Sequence, residues 1–179
     1  MSKVITKSHS LKMHRITATG LFAALIYIFT AYFHIPTGAG YTHAGDGLIY
    51  LAAAILPTPY AMAAGAIGGA LADGLSGFVV WIPATIVIKA VTAAFFSNKT
   101  KKILSLRNIL GIIPSAVICI VGYSFYEGVV IVGEFSMAAL TAAFTQTPSY
   151  LIQIGTSSLL FISVSLLLDR IDFKKKVNL

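Results

Sequence analysis

Three long stretches without a charged residue constrain this 179-residue chain more than any other feature. Residues 16–45, 47–72 and 135–168 contain no Asp, Glu, Lys or Arg, and each is long enough to cross a bilayer, which takes about 20 apolar residues. Charged residues make up 11% of the chain, against about 25% of a soluble domain. The sequence therefore predicts an all-α, multi-pass protein of the cell membrane and not a soluble enzyme.

The positions of the basic residues predict the topology. Twelve of the thirteen Lys and Arg residues fall in three clusters, within residues 3–15, 99–107 and 170–176. Because positive loops stay in the cytoplasm, all three clusters and both termini are expected there. This pattern explains the net charge of +7 without a nucleic-acid partner. The thirteenth basic residue, Lys89, lies inside an apolar segment.

Clusters on one side of the membrane require an even number of crossings between them. The sequence then predicts a bundle of six transmembrane helices at residues 16–33, 46–56, 59–76, 78–96, 108–132 and 147–168, with an outer loop at 133–146. The second helix reaches only about 16 Å, so it either begins earlier or is a half-span buried by its neighbours. We expect residues 1–15 to be a basic cytoplasmic N-terminus, 16–168 the membrane domain and 169–179 a basic cytoplasmic tail.

Four ionisable residues lie within apolar segments, where charge is costly and commonly functional. On the predicted topology they all lie in the outer half of the membrane, where aromatic and amide residues surround them. The expected substrate-binding set is Asp46, Tyr50, Asp73, Trp81, Lys89, Tyr123, Glu127, Gln153 and His43. These residues would form a cup open to the outside beneath a loop at residues 34–44.

Structural roles compete with binding for several of these residues. Asp73 and Lys89 could form an ion pair between helices, Asp46 could cap its helix, and Trp81 could be an interfacial belt residue. His43 is expected to be a loop residue, because it and Asp46 do not complete a metal-ligand set. We therefore expect no metal and no cofactor.

Small residues on the first helix form a further candidate surface. Thr19 with Ala23, and Gly20 with Ala24, each have the small-x-x-x-small spacing that lets helices approach closely. The spacing is compatible with packing inside the chain and with docking of another membrane subunit. The sequence has no G-x-x-x-x-G-K-[ST] motif, so any ATP hydrolysis would belong to separate subunits.

Taken together, these features resemble the S components of energy-coupling factor (ECF) vitamin transporters over most of the chain. The resemblance is carried by Gly20-Leu21-Phe22-Ala23-Ala24, by HAGDGLIYLAAAILPTPYAMAAGAIGGALADGLSGF at residues 43–78 and by WIPATIVIKA at 81–90. Within that group the chain is most similar to the subgroup for vitamin B6 or hydroxymethylpyrimidine.

The resemblance implies a function and partners. An S component binds its vitamin from outside with high affinity. It then docks through its first helix onto a transmembrane coupling subunit driven by two ATPase subunits, and it topples in the membrane to release the vitamin inside. The matching docking positions are Gly20 and Ala24, with Thr19 and Ala23 beside them, and Gly20 departs from the alanine-alanine form of the family motif.

The charge of the cup indicates a class of substrate. Asp46, Asp73, Glu127 and Lys89 together carry −3 + 1 = −2, which disfavours a carboxylate or phosphate ligand. A small neutral or cationic heteroaromatic alcohol such as pyridoxine fits better, with Asp46, Lys89 and Glu127 as polar anchors. Riboflavin, thiamine or another vitamin is the first alternative, and an autonomous small permease or channel is the second.

Overall fold

The computed structural model describes residues 2–37, 40–133 and 135–177. The described chain is helical apart from one short hairpin and its loops. Its elements are α1 (Ser2–Ala31), β1 (His34–Thr37), β2 (Gly40–His43), α2 (Asp46–Ile55), α3 (Thr58–Leu75), α4 (Ile82–Ala94), α5 (Leu106–Leu110), α6 (Ile112–Tyr126), α7 (Met137–Ala143), α8 (Thr147–Arg170) and α9 (Phe173–Val177). A 3₁₀ turn (Val79–Trp81) precedes α4, a π-helical turn (Glu127–Ile131) extends α6, and a second 3₁₀ turn (Phe144–Gln146) precedes α8.

The all-α class is confirmed, and the middle helices begin and end close to their predicted bounds. Three helical segments are long and apolar enough to cross a membrane, namely Ser10–Ala31, Leu106–Ile131 and Met137–Arg170. Asp46–Ile55 and Val79–Ala94 are shorter apolar helices. The six crossings and the cytoplasmic termini therefore stay predictions.

Two segments differ from expectation. Helix α1 begins at Ser2, so the basic N-terminal segment is helical and continuous with the first apolar run. The stretch 133–146, predicted as a loop, contains α7. This helix starts where the Ser136 hydroxyl accepts a hydrogen bond from the Ala139 N–H at 3.1 Å, a capping interaction that favours a helix over a loop.

Helix α2 forms the centre of the bundle. All ten of its residues are buried, because α1, α3, α4 and α8 pack around it. At helical rise it is about 15 Å long, so it does not begin earlier than predicted, and its neighbours bury it. Its Tyr50 ring stacks on Phe96 and meets Phe161 edge-on, with ring centres 4.6 and 6.0 Å away.

Glycines let α3 lie close to the helices on either side of it. A Cβ atom at Gly68 would lie 2.7 Å from the Ala23 carbonyl oxygen of α1, and one at Gly69 would lie 2.7 Å from Thr85 Cγ2 of α4. Such distances exclude a side chain without movement of a neighbour. The close approach fixes α3, and with it Asp73, against α4.

The hairpin covers one end of the bundle. Strands β1 and β2 are antiparallel, with His34 opposite His43 and Thr37 opposite Gly40. The Thr42 hydroxyl donates to the Ser149 carbonyl of α8 at 3.0 Å. Within the described residues, the segment predicted as a loop therefore forms the two strands of a hairpin, which is attached to the last long helix.

Candidate substrate-binding site

A cavity lies beside the hairpin, between the helices that carry the buried charges. It contains about 550 Å³ of space not filled by protein atoms, part of which is open solvent. Its lining residues are Thr30, Thr37, Tyr41, His43, Gly69, Asp73, Trp81, Thr85, Lys89, Tyr123, Glu127, Gln146, Tyr150 and Gln153.

A buried ion pair lies at the wall of this cavity. Lys89 Nζ is 2.6 Å from Asp46 Oδ1, and each side chain is 3% exposed. Gln153 Nε2 donates to Asp46 Oδ2 at 2.8 Å, so α2, α4 and α8 meet at one carboxylate. Asp46 also lies in the first turn of α2, where the helix dipole stabilises a negative charge. The structure thus pairs Lys89 with Asp46, and the alternative pairing with Asp73 is wrong.

Asp73 has a different partner. Tyr41 of the hairpin donates its hydroxyl hydrogen to Asp73 Oδ1 at 2.6 Å. The Tyr41 ring packs against His34, His43 and Phe78, with ring centres 4.8, 5.6 and 4.7 Å away. The hairpin is therefore bonded directly to the carboxylate of α3.

Aromatic rings form another wall. Tyr123 stacks on Tyr150 with ring centres 5.9 Å apart, and Trp81 meets Tyr123 edge-on at 5.8 Å. Lys89 Nζ lies 5.2 Å from the centre of the Tyr123 ring, within cation–π range. Tyr123 OH is also 3.0 Å from Thr85 Oγ1. The ammonium group therefore lies between a carboxylate and an aromatic face.

Most of the predicted site residues meet at this cavity. Those that line it are His43, Asp73, Trp81, Lys89, Tyr123, Glu127 and Gln153, and Asp46 lies directly behind Lys89. Tyr50 lies outside the lining, in the hydrophobic core, where its hydroxyl accepts a hydrogen bond from Ser115 at 3.2 Å. Tyr50 lies one helical turn from Asp46, but this spacing does not bring it to the cavity, because α2 is buried on every side.

Seven further residues line the cavity and were not among the predicted site residues, namely Thr30, Thr37, Tyr41, Gly69, Thr85, Gln146 and Tyr150. Tyr150 had a usable signal, since it precedes Gln153 by three residues and so shares its helix face. Tyr41 had none, because a short hairpin carries no helical periodicity. Its place at the cavity depends on how the hairpin folds over the bundle.

His43 serves the turn that leads into α2. Its Nδ1 accepts the Gly45 N–H at 3.1 Å, and its backbone carbonyl accepts from Ser157 at 3.5 Å. Across the described residues, no group of three or more His, Cys, Asp or Glu side chains is arranged to hold a metal ion. The imidazole is thus a lining group whose Nδ1 is already used.

The four small residues of α1 divide between two faces. Thr19 and Ala23 are 9% and 4% exposed and face the bundle, where Ala23 approaches Gly68 of α3. Gly20 and Ala24 are exposed, and a Cβ atom added at Gly20 would meet nothing within 4 Å. Internal packing therefore accounts for one pair and leaves the other at the surface.

Comparison with known proteins agrees with this architecture. Residues 10–170 match the family described as "ECF-type riboflavin transporter, S component", which is 161 of the 179 residues. A comparison with curated proteins gave no match. S components are membrane proteins that act with a membrane coupling subunit and ATPases, and they are transporter subunits and not enzymes. With nine-tenths of its length matched, the chain belongs to the S component family of ECF-type vitamin transporters.

Proposed function

We propose that the chain captures pyridoxine or hydroxymethylpyrimidine, small heteroaromatic alcohols, from the outer face of the membrane for ATP-driven uptake. The observation that carries the proposal is the cavity itself, in which a buried Lys89–Asp46 pair and two further carboxylates lie beside aromatic walls. Small-molecule sites combine such apolar walls with a few polar groups that orient the ligand.

The charge of the lining supports a neutral or cationic ligand. Lys89 is neutralised by Asp46 at 2.6 Å, and Asp73 and Glu127 remain as acidic lining residues. A carboxylate or phosphate ligand would meet two acidic side chains and no unpaired cation within the described lining. A ring with hydroxyl groups or a protonated nitrogen would find acceptors there, and it could stack on Tyr123, Tyr150 or Trp81.

Riboflavin is the second candidate, favoured by the description of the matching family. Its three-ring system is also flat and could stack on the same aromatic walls. Its ring system is neutral near pH 7, however, so the acidic lining supplies less reason for its selection than for a ring that accepts a proton.

The orientation of the site follows from the charge distribution. The lining residues Tyr150 and Gln153 lie near the start of α8, whereas Arg170 ends it and Lys174 to Lys176 follow. We propose that the basic end faces the cytoplasm by the positive-inside rule, with six crossings in all. The cavity then opens to the outside, as capture requires.

Titration of the purified protein tests the substrate. Pyridoxine, hydroxymethylpyrimidine, thiamine and riboflavin are compared by isothermal calorimetry. We expect submicromolar binding of pyridoxine or hydroxymethylpyrimidine, and submicromolar binding of riboflavin alone would overturn the assignment.

In liposomes that contain this chain alone, we expect binding without sustained flux, whereas an autonomous permease would transport without ATP.

The exposed face of α1 is the proposed contact with the coupling subunit, and two matched glycines test it. Gly20 on α1 and Gly155 on α8 are both exposed, and a Cβ atom at either would meet nothing within 4 Å. We expect Gly20→Leu to lose co-purification with the coupling subunit while ligand binding is kept, and Gly155→Leu to keep both. Equal co-purification of the two variants would contradict a docking role for this face.

A further inference from the structure

The carboxylates near the cavity differ in how many of their oxygen atoms are already bonded. Asp46 has both engaged, because Lys89 Nζ lies 2.6 Å from Oδ1 and Gln153 Nε2 donates to Oδ2 at 2.8 Å. Asp46 is also not among the residues that line the cavity. Its charge therefore holds Lys89 and Gln153 in place and has no oxygen left for a ligand.

Asp73 is only half engaged. Its Oδ1 accepts the Tyr41 hydroxyl at 2.6 Å. Its Oδ2 is buried and makes no hydrogen bond of normal length to the described residues, although the Thr85 side chain lies beside the carboxylate. Asp73 is 5% exposed and lines the cavity. A buried carboxylate oxygen without a strong donor is costly, so this atom would gain from a donor that reaches it from the cavity.

The surroundings hold that acceptor in one orientation. Tyr41 is fixed by ring contacts with His34, His43 and Phe78, and its bond to Oδ1 sets the rotation of the carboxylate. Gly69, one helical turn before Asp73, also lines the cavity and has no side chain to fill the space. Oδ1 is therefore held by the hairpin, whereas Oδ2 has no comparable bond.

We propose that Asp73 Oδ2 is the specificity-determining acceptor for one hydroxyl group of the ligand. This inference rests on the proposed function and makes it more specific, because it assigns ligand recognition to Asp73 and a positioning role to Asp46. Ligands with a donor at this place satisfy the buried oxygen, and ligands without one leave it desolvated. The site thereby selects hydroxylated rings over rings of the same size that lack this hydroxyl group.

A ligand-and-protein cycle tests the assignment. Calorimetry measures the affinity of wild type and Asp73→Asn for pyridoxine and for analogues that each lack one hydroxyl group. Asparagine can keep an oxygen for Tyr41, but it then places an NH₂ group where the ligand donor should bind. In the wild type, removal of one particular hydroxyl should weaken binding about 10- to 100-fold, the value of a hydrogen bond to a charged group. In Asp73→Asn the same removal should have little further effect.

The matched control is Glu127→Gln, which changes another acidic lining residue by the same chemistry. We expect that removal of the hydroxyl group recognised by Asp73 weakens binding to Glu127→Gln by the same factor as in the wild type. Thermal unfolding verifies that each variant is folded, and the comparison of analogues on the wild type stands even if Asp73→Asn does not fold. The same cycle applies to any other compound of the four-ligand panel that binds.

The outcomes separate this inference from the proposed function. Binding of pyridoxine with loss on removal of one hydroxyl, coupled to Asp73, supports both. If pyridoxine binds tightly but every deoxy analogue binds with the same affinity, the role of Asp73 is wrong and the proposed function stands. The same holds if each analogue loses affinity by the same factor in the wild type and in Asp73→Asn. Failure of the wild type to bind any compound of the panel overturns the proposed function together with the inference.

Discussion

The two ends of α8 belong to polar networks of opposite kinds. Near its start, Gln153 joins the cavity cluster, which we define as Asp46, Asp73, Lys89 and Gln153. Near its end, Asp169 joins the capping network, which we define as Asn108, Asp169 and Lys174. Sixteen residues separate Gln153 from Asp169, or about 24 Å at helical rise, so the networks occupy opposite ends of the bundle.

The side chains of the capping network bond to backbone groups. Asn108 accepts the Ser97 N–H at 2.8 Å and donates to the carbonyls of Ser97 and Ile103 at 3.1 and 2.9 Å. Asp169 accepts the N–H groups of Ile103 and Leu104 at 2.8 and 2.9 Å. These bonds satisfy the turns between α4 and α5, where no helix supplies partners.

Lys174 extends this network, and the contrast with the cavity cluster then becomes clear. Its Nζ donates to the carbonyls of Asn98 and Thr100 at 2.7 and 2.8 Å, and burial lowers the pKa of its ammonium group. In the cavity cluster, side chains bond to side chains, and one oxygen of the lining residue Asp73 is buried without a hydrogen bond of normal length. Polar side chains that bond to the backbone therefore stabilise the fold, whereas those that bond to other side chains remain able to bind a ligand.

The largest effect is expected from Lys89→Met, which leaves the buried Asp46 without its cation. Breaking one side of a buried ion pair costs about 3–5 kcal/mol, so the free energy of unfolding in mixed micelles should fall by that amount. Ligand binding should be lost as well.

A double variant separates stability from binding at this pair. Replacement of both partners by apolar residues, Lys89→Met with Asp46→Leu, removes the uncompensated charge, and such replacements are often neutral or stabilising. We expect most of the stability to return without the affinity. Recovery of wild-type affinity in the double variant would contradict a role for the cavity cluster in binding.

The next largest effect is expected from Asn108→Ala, which should lower the free energy of unfolding without changing ligand affinity. Asn108 is fully buried, and its loss leaves the Ser97 N–H without its acceptor, at about 1–3 kcal/mol for a buried group. The carbonyls of Ser97 and Ile103 lose one donor each but keep Thr100 and Ser105. We expect about 2–3 kcal/mol of destabilisation with an unchanged ligand dissociation constant, measured by denaturation and calorimetry.

Asn98→Ala is the matched control for this variant. Asn98 lies in the same turn, but within the described structure its backbone carbonyl and not its side chain makes the hydrogen bond to Lys174. Its replacement should leave stability near that of the wild type. If Asn108→Ala weakened ligand binding as strongly as Lys89→Met, the division between the two networks would be wrong.

The sequence predicted the helices and the candidate charges better than the contacts between them. Charge-free stretches and Pro or Gly breaks place apolar helices, and the cost of charge in a membrane marks Asp46, Asp73 and Lys89 as candidates. The partner of Lys89 was missed because α3 and α4 are neighbours in sequence, whereas Asp46 reaches Lys89 through the central position of α2. Such a position depends on the packing of four helices and leaves no periodic signal.

The capping network could not be predicted from the sequence either. Asn108 and Asp169 lie at helix ends beside basic clusters, and their partners are backbone groups, which every residue possesses. Residue type therefore cannot identify them. Tyr41 was missed for a related reason, since its position depends on the hairpin register that places His34 opposite His43.

A smaller loss of stability is expected from Asp169→Asn. The amide keeps one acceptor oxygen but turns an NH₂ group toward the second backbone N–H, of Ile103 or Leu104. Loss of one such bond should cost about 1–2 kcal/mol, measured as the shift in the denaturation midpoint. Because the cavity lies at the other end of α8, the ligand dissociation constant should not change.

The smallest effect is expected from Asp172→Asn, the exposed counterpart of Asp169→Asn. Asp172 Oδ1 lies 2.8 Å from Lys175 Nζ, but the two side chains are 62% and 77% exposed. The hydrogen bond and the charge of Lys175 lower the pKa of the Asp172 carboxyl, so any stabilisation is present near neutral pH and is lost as the pH falls through that lowered value. Solvent and salt screen such pairs strongly.

Backbone conformation does not offset this small effect. The φ of Asp172 is 51°, in the left-handed region that Asn also tolerates, so the substitution adds no strain. We expect the melting temperature of Asp172→Asn to equal that of the wild type at low and high salt, between neutral and mildly acidic pH. A loss as large as that of Asp169→Asn would mean that charge near the basic tail, and not hydrogen bonding to the backbone, stabilises this end of the bundle.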